Sequence, residues 1–389
     1  MTFANHDIVC FANDWTADPT SKHQLMKRFA AGNRVLWVEA SGMRRPRLTS
    51  RNDLGRIAGK LRSFFAPAVA RLPGLHSFSP PSLPLPGSRF ADRLNAWLYR
   101  TTLRREMGRL GMGSSPLLWV YGPHVAPWIR AMPRSGLVYH CVDRWSAFQE
   151  YDAGHMSACE AEICREADLV LASAEDLAER CRRYRPDVHY VPHGVEHAHF
   201  AVALEPGKLP PDLASIPEPR IGFFGLIHEW VDLELIGALA ERTGYSFVLI
   251  GDSNQDLTSL LSRPNVFHLG RKPYATLPDY CRGFAAAIVP FRLSDLTLSV
   301  NPIKLREYAA AGLPVVASDL PEIRRCGGIA RCARGVEQWE EALVLAVAEG
   351  NSAASRRAQS DRVRSEDWGA VAERVGALVS EAVAVARPR

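Results

Sequence analysis

The sequence lacks the short patterns that usually mark a metal, a dinucleotide or a membrane span. It has no CxxC pair, no HExxH, no D-x-D cluster and no G-x-G-x-x-G between a strand and a helix. These absences count against a zinc site, a metal-held diphosphate, and an NAD or FAD domain. The apolar runs are only as long as strands, far short of the roughly 20 residues that cross a bilayer.

Cysteine usage argues against disulfides. The eight cysteines are scattered, and several fall inside apolar segments, as small buried residues do. The N-terminal sequence does not have the pattern of a signal peptide. No basic region precedes an apolar one there, and Asp7 and Asp14 interrupt the apolar residues. We therefore expect a cytoplasmic protein without disulfides, without a secretion signal and without a bound metal or other cofactor.

Length and charge point to two domains and one basic region. A chain of 389 residues with 47% apolar and 23% charged residues is long for one core. The net charge of +5 is concentrated between Gly42 and Leu110, where fourteen Lys/Arg face three acids. Such a segment indicates contact with an anionic membrane surface or an anionic acceptor. A solvated arginine-rich surface is the alternative, and we expect no nucleic-acid partner because no binding module is recognisable.

Short apolar runs alternate with helical patterns along the first half of the chain. Strands are predicted at 7–12, 34–39, 117–121, 137–142, 169–172 and 188–191. Polar residues follow several of these strands, among them Asp14, His124 and Asp143. In an open parallel sheet the carboxyl ends of the strands share one edge, where ligands bind.

The same alternation resumes after a change of composition. Residues 196–219 are rich in proline and aperiodic, which predicts an interdomain linker. Strands follow at 221–224, 246–250, 266–269, 285–290 and 315–317, with helices between them. The predicted fold class is α/β, with two Rossmann-like doubly wound parallel-sheet domains (1–195 and 220–367) facing across a cleft. A last helix in 368–389 is expected to cross back to the first domain.

The clearest punctuation in the chain runs from Ser294 to Leu320. Asn301 is a good N-cap, Pro302 fits a first helical residue, and Gly312 fits the position that ends the helix. This predicts a loop, a helix, a tight turn and a buried strand.

Lys304 and Arg306 stand in the first turns of that helix, where the helix dipole disfavours cations. Both are explained if an anion lies against the helix N-terminus. Glu307, three residues after Lys304, could accept both hydroxyls of a ribose. An anion beside a diol describes a nucleoside diphosphate, whereas the simpler alternative is a surface Lys304–Glu307 pair.

Two glycine turns complete this set. Gly225 lies between a strand and a helix, where a phosphate can approach the backbone closely, and Arg271 and Lys272 follow Gly270 after another strand. The segments F-F-G-L-I-H-E-W and N-P-I-K-L-R-E-Y-A-A-A-G-L-P-V-V-A-S resemble a GT-B glycosyltransferase, most closely family 4 and related bacterial exopolysaccharide enzymes. The resemblance is strongest from Ile221 to Leu320.

The resemblance implies a set of roles. Glu307 would hold the ribose, Lys304 the donor phosphates, the Gly225 loop the diphosphate, and the Gly270–Arg271 turn would border the base. His124 would point into the cleft near the sugar. The remaining donor-binding candidates are His228 and Asn301. GT-B enzymes generally need no metal, because basic residues and a helix N-terminus stabilise the departing diphosphate.

One departure from family 4 is visible. Many of its members carry a second glutamate eight residues before the ribose-binding one, and here that position is Ser299. The stereochemistry implied by family 4 is therefore left open for this chain.

The predicted reaction moves a hexose-type sugar from a nucleoside diphosphate sugar to an acceptor hydroxyl on a glycan or lipid-linked glycan precursor. An inverting reaction needs a base, for which Asp143 is the first candidate, followed by Asp14 on the acceptor side and His124. A retaining reaction needs no dedicated base. The alternatives are a nucleotide-sugar epimerase and a non-catalytic nucleotide-sugar-binding protein. We expect the protein in the cytoplasm, peripherally bound to the inner face of the membrane if the basic segment contacts lipid.

Overall fold

The computed structural model of this chain describes residues 3–39, 67–83, 85 and 87–385. They divide into two compact units, of which the first runs to Pro192 and resumes at Val371, and the second is His193–Ala370. Each unit is built around its own parallel sheet. Much of the basic Gly42–Leu110 segment, from 42 to 66, lies outside the described residues.

The first unit contains a sheet of eight described strands in the order β3-β4-β2-β1-β5-β6-β7-β8. Neighbouring strands are parallel except for the antiparallel β3–β4 pair at the edge. The strands are β1 Asp7–Ala12, β2 Arg34–Glu39, β3 Val69–Leu72, β4 Leu75–Phe78, β5 Leu117–Val120, β6 Gly136–Cys141, β7 Leu169–Ala172 and β8 His189–Tyr190. The β3–β4 hairpin was not predicted, because its four-residue strands lie inside the proline-rich basic segment and show little alternation.

Helices cover this sheet. They are α1 Ser21–Ala30, α2 Arg89–Arg109, α3 Ala126–Ile129, α4 Ala153–Glu166 and α5 Glu175–Arg182. The final helix, α16 Trp368–Val385, belongs to this unit from Val371 onward. It packs closely enough that a β-carbon added to Gly376 would lie 2.8 Å from the side chain of Phe3.

The second unit contains a six-stranded parallel sheet in the order β11-β10-β9-β12-β13-β14. Its strands are β9 Arg220–Phe224, β10 Ser246–Ile250, β11 Val266–His268, β12 Ala286–Val289, β13 Val315–Ser318 and β14 Ala330–Ala333. The central strands are buried along their whole length, as parallel strands covered on both faces are expected to be. Both sheets confirm the predicted Rossmann-like fold class.

The helices of the second unit lie between these strands and after them. They are α6 His197–Ala201, α7 Pro211–Ala214, α8 Leu233–Thr243, α9 Thr258–Leu261, α10 Leu277–Arg282, α11 Asp295–Leu298, α12 Ile303–Ala310, α13 Pro321–Arg325, α14 Gly335–Gly350 and α15 Ala353–Asp361. Among the helices of the described segments, none is both long and apolar enough to span a membrane.

The segment predicted as a linker is folded into the second unit. It forms α6 and α7, and Phe200, Leu213 and Ile216 are buried in that unit's hydrophobic core. The linker was predicted from the prolines of this segment. In the structure Pro210 is the N-cap residue of α7 and Pro211 is its first residue, so neither interrupts a helix.

The start of α12 also differs from the prediction. The N-cap is Pro302, with no side-chain cap, and the helix begins at Ile303. The Asn301 side chain instead donates to Glu322 (3.1 Å) and accepts from Arg306 (2.7 Å). Gly312 follows the helix with φ +75°, the left-handed conformation that the sequence pattern predicted for its end.

Candidate functional site

Three glycines mark the carboxyl edge of the second sheet, each just past a neighbouring strand. The Gly225 N–H donates to Ile250 O (2.8 Å), and the Gly251 N–H donates to Gly270 O (2.9 Å). Gly225 and Gly251 have φ of +129° and +143°, conformations that side chains rarely adopt. A β-carbon on Gly251 would lie 2.8 Å from the carbonyl carbon of Gly225, so this packing needs glycine.

Helix α12 is attached to this edge by Tyr308. Its hydroxyl accepts a hydrogen bond from the Phe224 N–H (2.8 Å), and its ring meets the Phe224 ring edge-on with centroids 4.5 Å apart. Because Lys304 lies one helical turn before Tyr308, this attachment places the Lys304 side chain over Gly225. A β-carbon on Gly225 would lie 2.5 Å from Lys304 Nζ. The sequence analysis did not single out Tyr308, although it is adjacent to Glu307.

Glu307 lies on the same helix and is buried, with 8% of its surface exposed. Burial raises the pKa of its carboxyl from 4.5 to about 7, against the opposing effects of Lys304 and of a hydrogen bond from the Tyr274 side chain. The neighbouring carboxylate of Glu196 raises this pKa further. Glu196 and Tyr274 were not singled out from the sequence, because no motif connects them to Glu307.

The two cations of α12 have different surroundings. Arg306 is buried, and its Nε lies 2.5 Å from a carboxylate oxygen of Glu366 while its Nη1 donates to Asn301. An internal carboxylate therefore balances Arg306, and it needs no bound anion to explain it. The predicted explanation of both cations by one bound anion thus does not hold for Arg306, and it stays a prediction for Lys304.

The two basic residues of the predicted turn after β11, Arg271 and Lys272, also have different surroundings. Lys272 Nζ lies 2.7 Å from Asp212 Oδ2 and near the Tyr280 ring, so its charge is used inside the unit. Arg271 is exposed, directly after Gly270. Of the two basic residues, Arg271 is the one whose position remains compatible with a role beside a nucleotide base.

His228 lies in the loop that follows Gly225. Its ring stacks on Trp230 with centroids 4.2 Å apart and planes 18° from parallel. Its backbone carbonyl accepts a hydrogen bond from Gln255 Nε2 (2.5 Å), and its Nδ1 is buried with no partner among the described residues. The stack and the Gln255 bond hold this loop beside the Gly225 turn.

In the first unit, the predicted residues Asp14, His124 and Asp143 follow the adjacent strands β1, β5 and β6. The structure therefore places them along one sheet edge, as the strand pattern predicted. Lys22, in the first turn of α1, lies 3.7 Å from Asp143 Oδ2 and over the ring of Trp145 (5.2 Å). The sequence analysis missed Lys22, whose signal was a first turn without acidic residues.

The three candidates differ in accessibility. Asp143 keeps 32% of its side chain exposed. His124 is 4% exposed, and burial lowers its pKa to about 3, so its ring is neutral at physiological pH. The Asp14 carboxylate accepts two hydrogen bonds from Thr16, at 2.8 and 2.7 Å, which close a local turn. Of the three candidates, His124 is thus the least accessible, whereas Asp143 is partly exposed and Asp14 is exposed.

One buried group of side chains in the first unit has atoms close enough to ligate a metal. It consists of Cys141, Glu160 and Cys181. The Glu160 carboxylate accepts a hydrogen bond from Tyr139 (2.9 Å) and lies 3.9 Å from Arg180. These contacts account for the buried carboxylate without an ion.

Comparison with known proteins agrees with this architecture. The family described as "Glycosyl transferases group 1" matches residues 218–349. A curated Bacillus subtilis (strain 168) protein, provisionally named teichuronic acid biosynthesis glycosyltransferase TuaH, is 29% identical over 206 residues. That alignment covers 48% of this chain and 51% of the relative, so it spans about half of the relative's length.

Solved structures match over nearly the whole chain. Sucrose-phosphate synthase from Thermosynechococcus elongatus superposes with a TM-score of 0.73 at 15% identity, covering 98% of this chain and all of the other. Anabaena Alr3699/HepE in complex with UDP-glucose has a TM-score of 0.65 at 13% identity, covering 97% of this chain and all of the other. At these identities the structural likeness shows the fold alone. Residues 218–349 of this chain match the glycosyl transferases group 1 family, and the chain has the GT-B fold.

Proposed function

We propose that this protein is a glycosyltransferase that moves a hexose-type sugar from a nucleoside diphosphate sugar to an acceptor hydroxyl. The observation that carries the proposal is the position of Lys304 over the Gly225 turn, with Glu307 buried on the same helix. A cation, a close-approach backbone turn and a carboxylate at one sheet edge provide contacts for a diphosphate and a ribose. The group 1 domain match covers all of these residues.

The donor is proposed to be a UDP-sugar. HepE, which shares this fold, is described in complex with UDP-glucose. In this chain the Gly225 N–H already donates to Ile250 O, so it is not the group that would bind a phosphate. The diphosphate would instead lie close to the Gly225 backbone and bind the Lys304 ammonium. Arg271 would border the base, and His228, stacked on Trp230, would support the loop. Asn301 would act indirectly, since its side chain is bonded to Arg306 and Glu322.

In the reaction, the bond between the anomeric carbon and the diphosphate breaks, and a bond from the acceptor oxygen to that carbon forms. The nucleoside diphosphate leaves with the bonding electron pair, and Lys304 with the start of α12 stabilises its negative charge. The acceptor proton passes to Asp143 if the reaction inverts the anomeric centre, or to the leaving diphosphate if it retains the configuration. No metal ion is required in either form.

The acceptor is proposed to be a glycan or a lipid-linked glycan precursor. The partial alignment with TuaH, which is provisionally assigned to teichuronic acid biosynthesis, supports an acceptor in polysaccharide assembly. The cytoplasmic face of the membrane, where such precursors are accessible to a UDP-sugar, is the proposed location.

The test is to incubate the purified protein with UDP-glucose carrying a labelled sugar, with and without a bacterial membrane lipid extract. A transferase releases UDP and moves the label to an extractable acceptor, and only when the extract is present. An epimer of the donor formed without the extract would identify an epimerase. Donor binding without UDP release, across extracts and several UDP-hexoses, would identify a non-catalytic binding protein, a possibility raised by Ser299.

A further inference from the structure

Helix α2 presents an exposed stripe of aromatic and arginine side chains. Phe90, Arg93, Trp97, Arg100 and Arg104 follow one another in steps of three and four residues, which places them on one helical face. Phe90 is 71% exposed and Trp97 is 53% exposed. The three arginines are also exposed. We call these five residues the α2 stripe.

The opposite face of α2 anchors the helix to the first unit. Leu98 is buried, and Tyr99, Leu103 and Met107 are buried in the hydrophobic core that includes residues of the sheet. Both acids of the helix are also turned away from the stripe. Asp92 accepts a hydrogen bond from Trp128 Nε1 (3.1 Å), and Glu106 is buried between Arg105 and Arg109 (2.9 Å each). The exposed face therefore combines apolar area with positive charge and carries no acid of its own.

The charges of the stripe are not used within the described part of the protein. Among the described residues, Arg93, Arg100 and Arg104 have no carboxylate within ion-pair distance, unlike Arg105 and Arg109 on the same helix. A large aromatic side chain left mostly exposed between such arginines is unfavourable in water. A surface that is apolar and anionic at once would stabilise both the ring and the charges beside it.

We propose that the α2 stripe docks this protein on an anionic lipid bilayer. An exposed helix face with tryptophan and phenylalanine between arginines matches the interfacial region, where rings enter the headgroup layer and guanidinium groups meet lipid phosphates. An acidic protein would need a complementary groove, and a nucleic acid would need a module that the chain lacks. The inference deepens the proposed function, because docking would bring the first unit to a lipid-linked acceptor, but it does not depend on transfer activity.

Vesicle flotation tests the docking. The full chain is mixed, at low and high salt, with vesicles of phosphatidylcholine alone or with about 30% phosphatidylglycerol. We expect binding only to the anionic vesicles, weakening as salt rises. The double variant Arg93→Gln/Arg100→Gln should reduce binding at least tenfold, since each arginine near an anionic surface contributes about fivefold. The double variant Phe90→Ala/Trp97→Ala should reduce it at least tenfold as well, because it removes the two aromatic rings that would enter the headgroup layer.

A matched control uses exposed residues of the second unit. Leu345 is 55% exposed and Arg357 is exposed, so the Leu345→Ala/Arg357→Gln variant removes one exposed apolar side chain and one positive charge elsewhere. This variant should bind anionic vesicles as the unmodified protein does. All variants should keep the unmodified melting temperature and UDP-glucose affinity, because their side chains are exposed and none of them belongs to the proposed donor site.

Quenching of tryptophan fluorescence by brominated lipids adds a positional readout. Binding should quench part of the emission, and that part should disappear in Trp97→Phe, which keeps an aromatic ring in the stripe. Absence of binding to anionic vesicles at low salt, or binding and quenching that survive the stripe substitutions, would overturn the proposal. Binding of the stripe to heparin or duplex DNA without binding to vesicles would overturn it as well. Failure of UDP-glucose binding or transfer alone would contradict the proposed function and leave the docking intact.

Discussion

The Lys304 side chain lies directly across Gly225, so closely that a β-carbon on the glycine would be 2.5 Å from Lys304 Nζ and closer still to Cε. The glycine turn and the lysine are 79 positions apart in the sequence. Tyr308 brings them together by bonding the end of β9 to α12. The turn and the cation therefore act as one unit, and a change in either one should alter the other.

Gly225→Ala should weaken UDP-glucose binding at least tenfold. The added methyl group displaces Lys304, and φ of +129° is strained for alanine by about 1–3 kcal/mol. Gly244→Ala is the matched control, because it has φ +66° at the end of α8 with no atom within 4 Å of an added β-carbon. Gly244→Ala should be less stable than the unmodified protein, but its affinity for UDP-glucose, measured by calorimetry, should be unchanged. Equal affinities of both variants for UDP-glucose would show that Lys304 does not need the space over Gly225.

Lys304→Met should weaken UDP-glucose binding about 10- to 100-fold, because a charge-assisted hydrogen bond to phosphate contributes about 1.5–3 kcal/mol. The fold should be retained. Lys272→Met is the comparison, since Lys272 is paired with Asp212 and should affect stability without affecting donor affinity. Calorimetry with UDP-glucose measures both variants. Unmodified affinity in Lys304→Met would remove this residue from the donor site.

Arg306→Met should show the reverse pattern to Lys304→Met. Removing this buried cation takes the guanidinium away from the Glu366 carboxylate and from Asn301 Oδ1, and breaking such an ion pair typically costs about 3 kcal/mol. We expect a clear fall in the urea midpoint, whereas Lys304→Met should melt like the unmodified protein. A stable Arg306→Met variant with impaired donor binding would instead mean that both cations serve the donor.

The high pKa of Glu307 predicts a pH dependence of stability. Its folded pKa of about 7 exceeds the ordinary 4.5, so the folded state holds a proton that the unfolded state has released between these values. Stability should therefore fall as the pH rises through this window, by about 3 kcal/mol in total. Glu307→Gln should lack this component. The difference between the two urea-unfolding profiles across the window measures the effect, and parallel profiles would contradict the buried-carboxyl assignment.

Donor binding should respond to the same group with the opposite sign. Ribose hydroxyls donate to a carboxylate, so binding favours the ionised form of Glu307. UDP-glucose affinity should rise about tenfold between about pH 6 and pH 8 as a group with a pKa near 7 ionises. Glu307→Gln should bind weakly and without this pH dependence. Calorimetry with UDP-glucose at both pH values, on the unmodified protein and on Glu307→Gln, measures the effect.

Asp143→Asn tests the proposed base. If the reaction inverts the anomeric centre, turnover should fall about 10²- to 10⁴-fold while UDP-glucose affinity stays unchanged. Asp14→Asn should lose far less activity, because the Asp14 carboxylate closes a turn with Thr16. Near-normal turnover of Asp143→Asn would exclude it as the base and favour the retaining form.

The fold class was predictable because local patterns determine it. Buried parallel strands appear as short apolar runs, and glycine, proline and polar residues separate them from helices. Gly225 and Asp143 were predictable from the same rule, because each follows a strand, whereas Lys304 was predictable from its place in the first turn of a helix. The β3–β4 hairpin and the packing of 196–219 were missed, because proline-rich segments give little periodicity.

The tertiary structure decided which candidates are still available to a ligand. The sequence treats Lys304 and Arg306 alike, as two cations in the first turns of one helix. Only the folded chain brings Glu366 to Arg306, Gly225 to Lys304, and Glu196 with Tyr274 to Glu307. Burial, and with it the pKa of Glu307, depends on residues more than thirty positions away in the chain. Helix, strand and turn propensities are local, whereas desolvation and charge pairing depend on which distant segments the fold brings together.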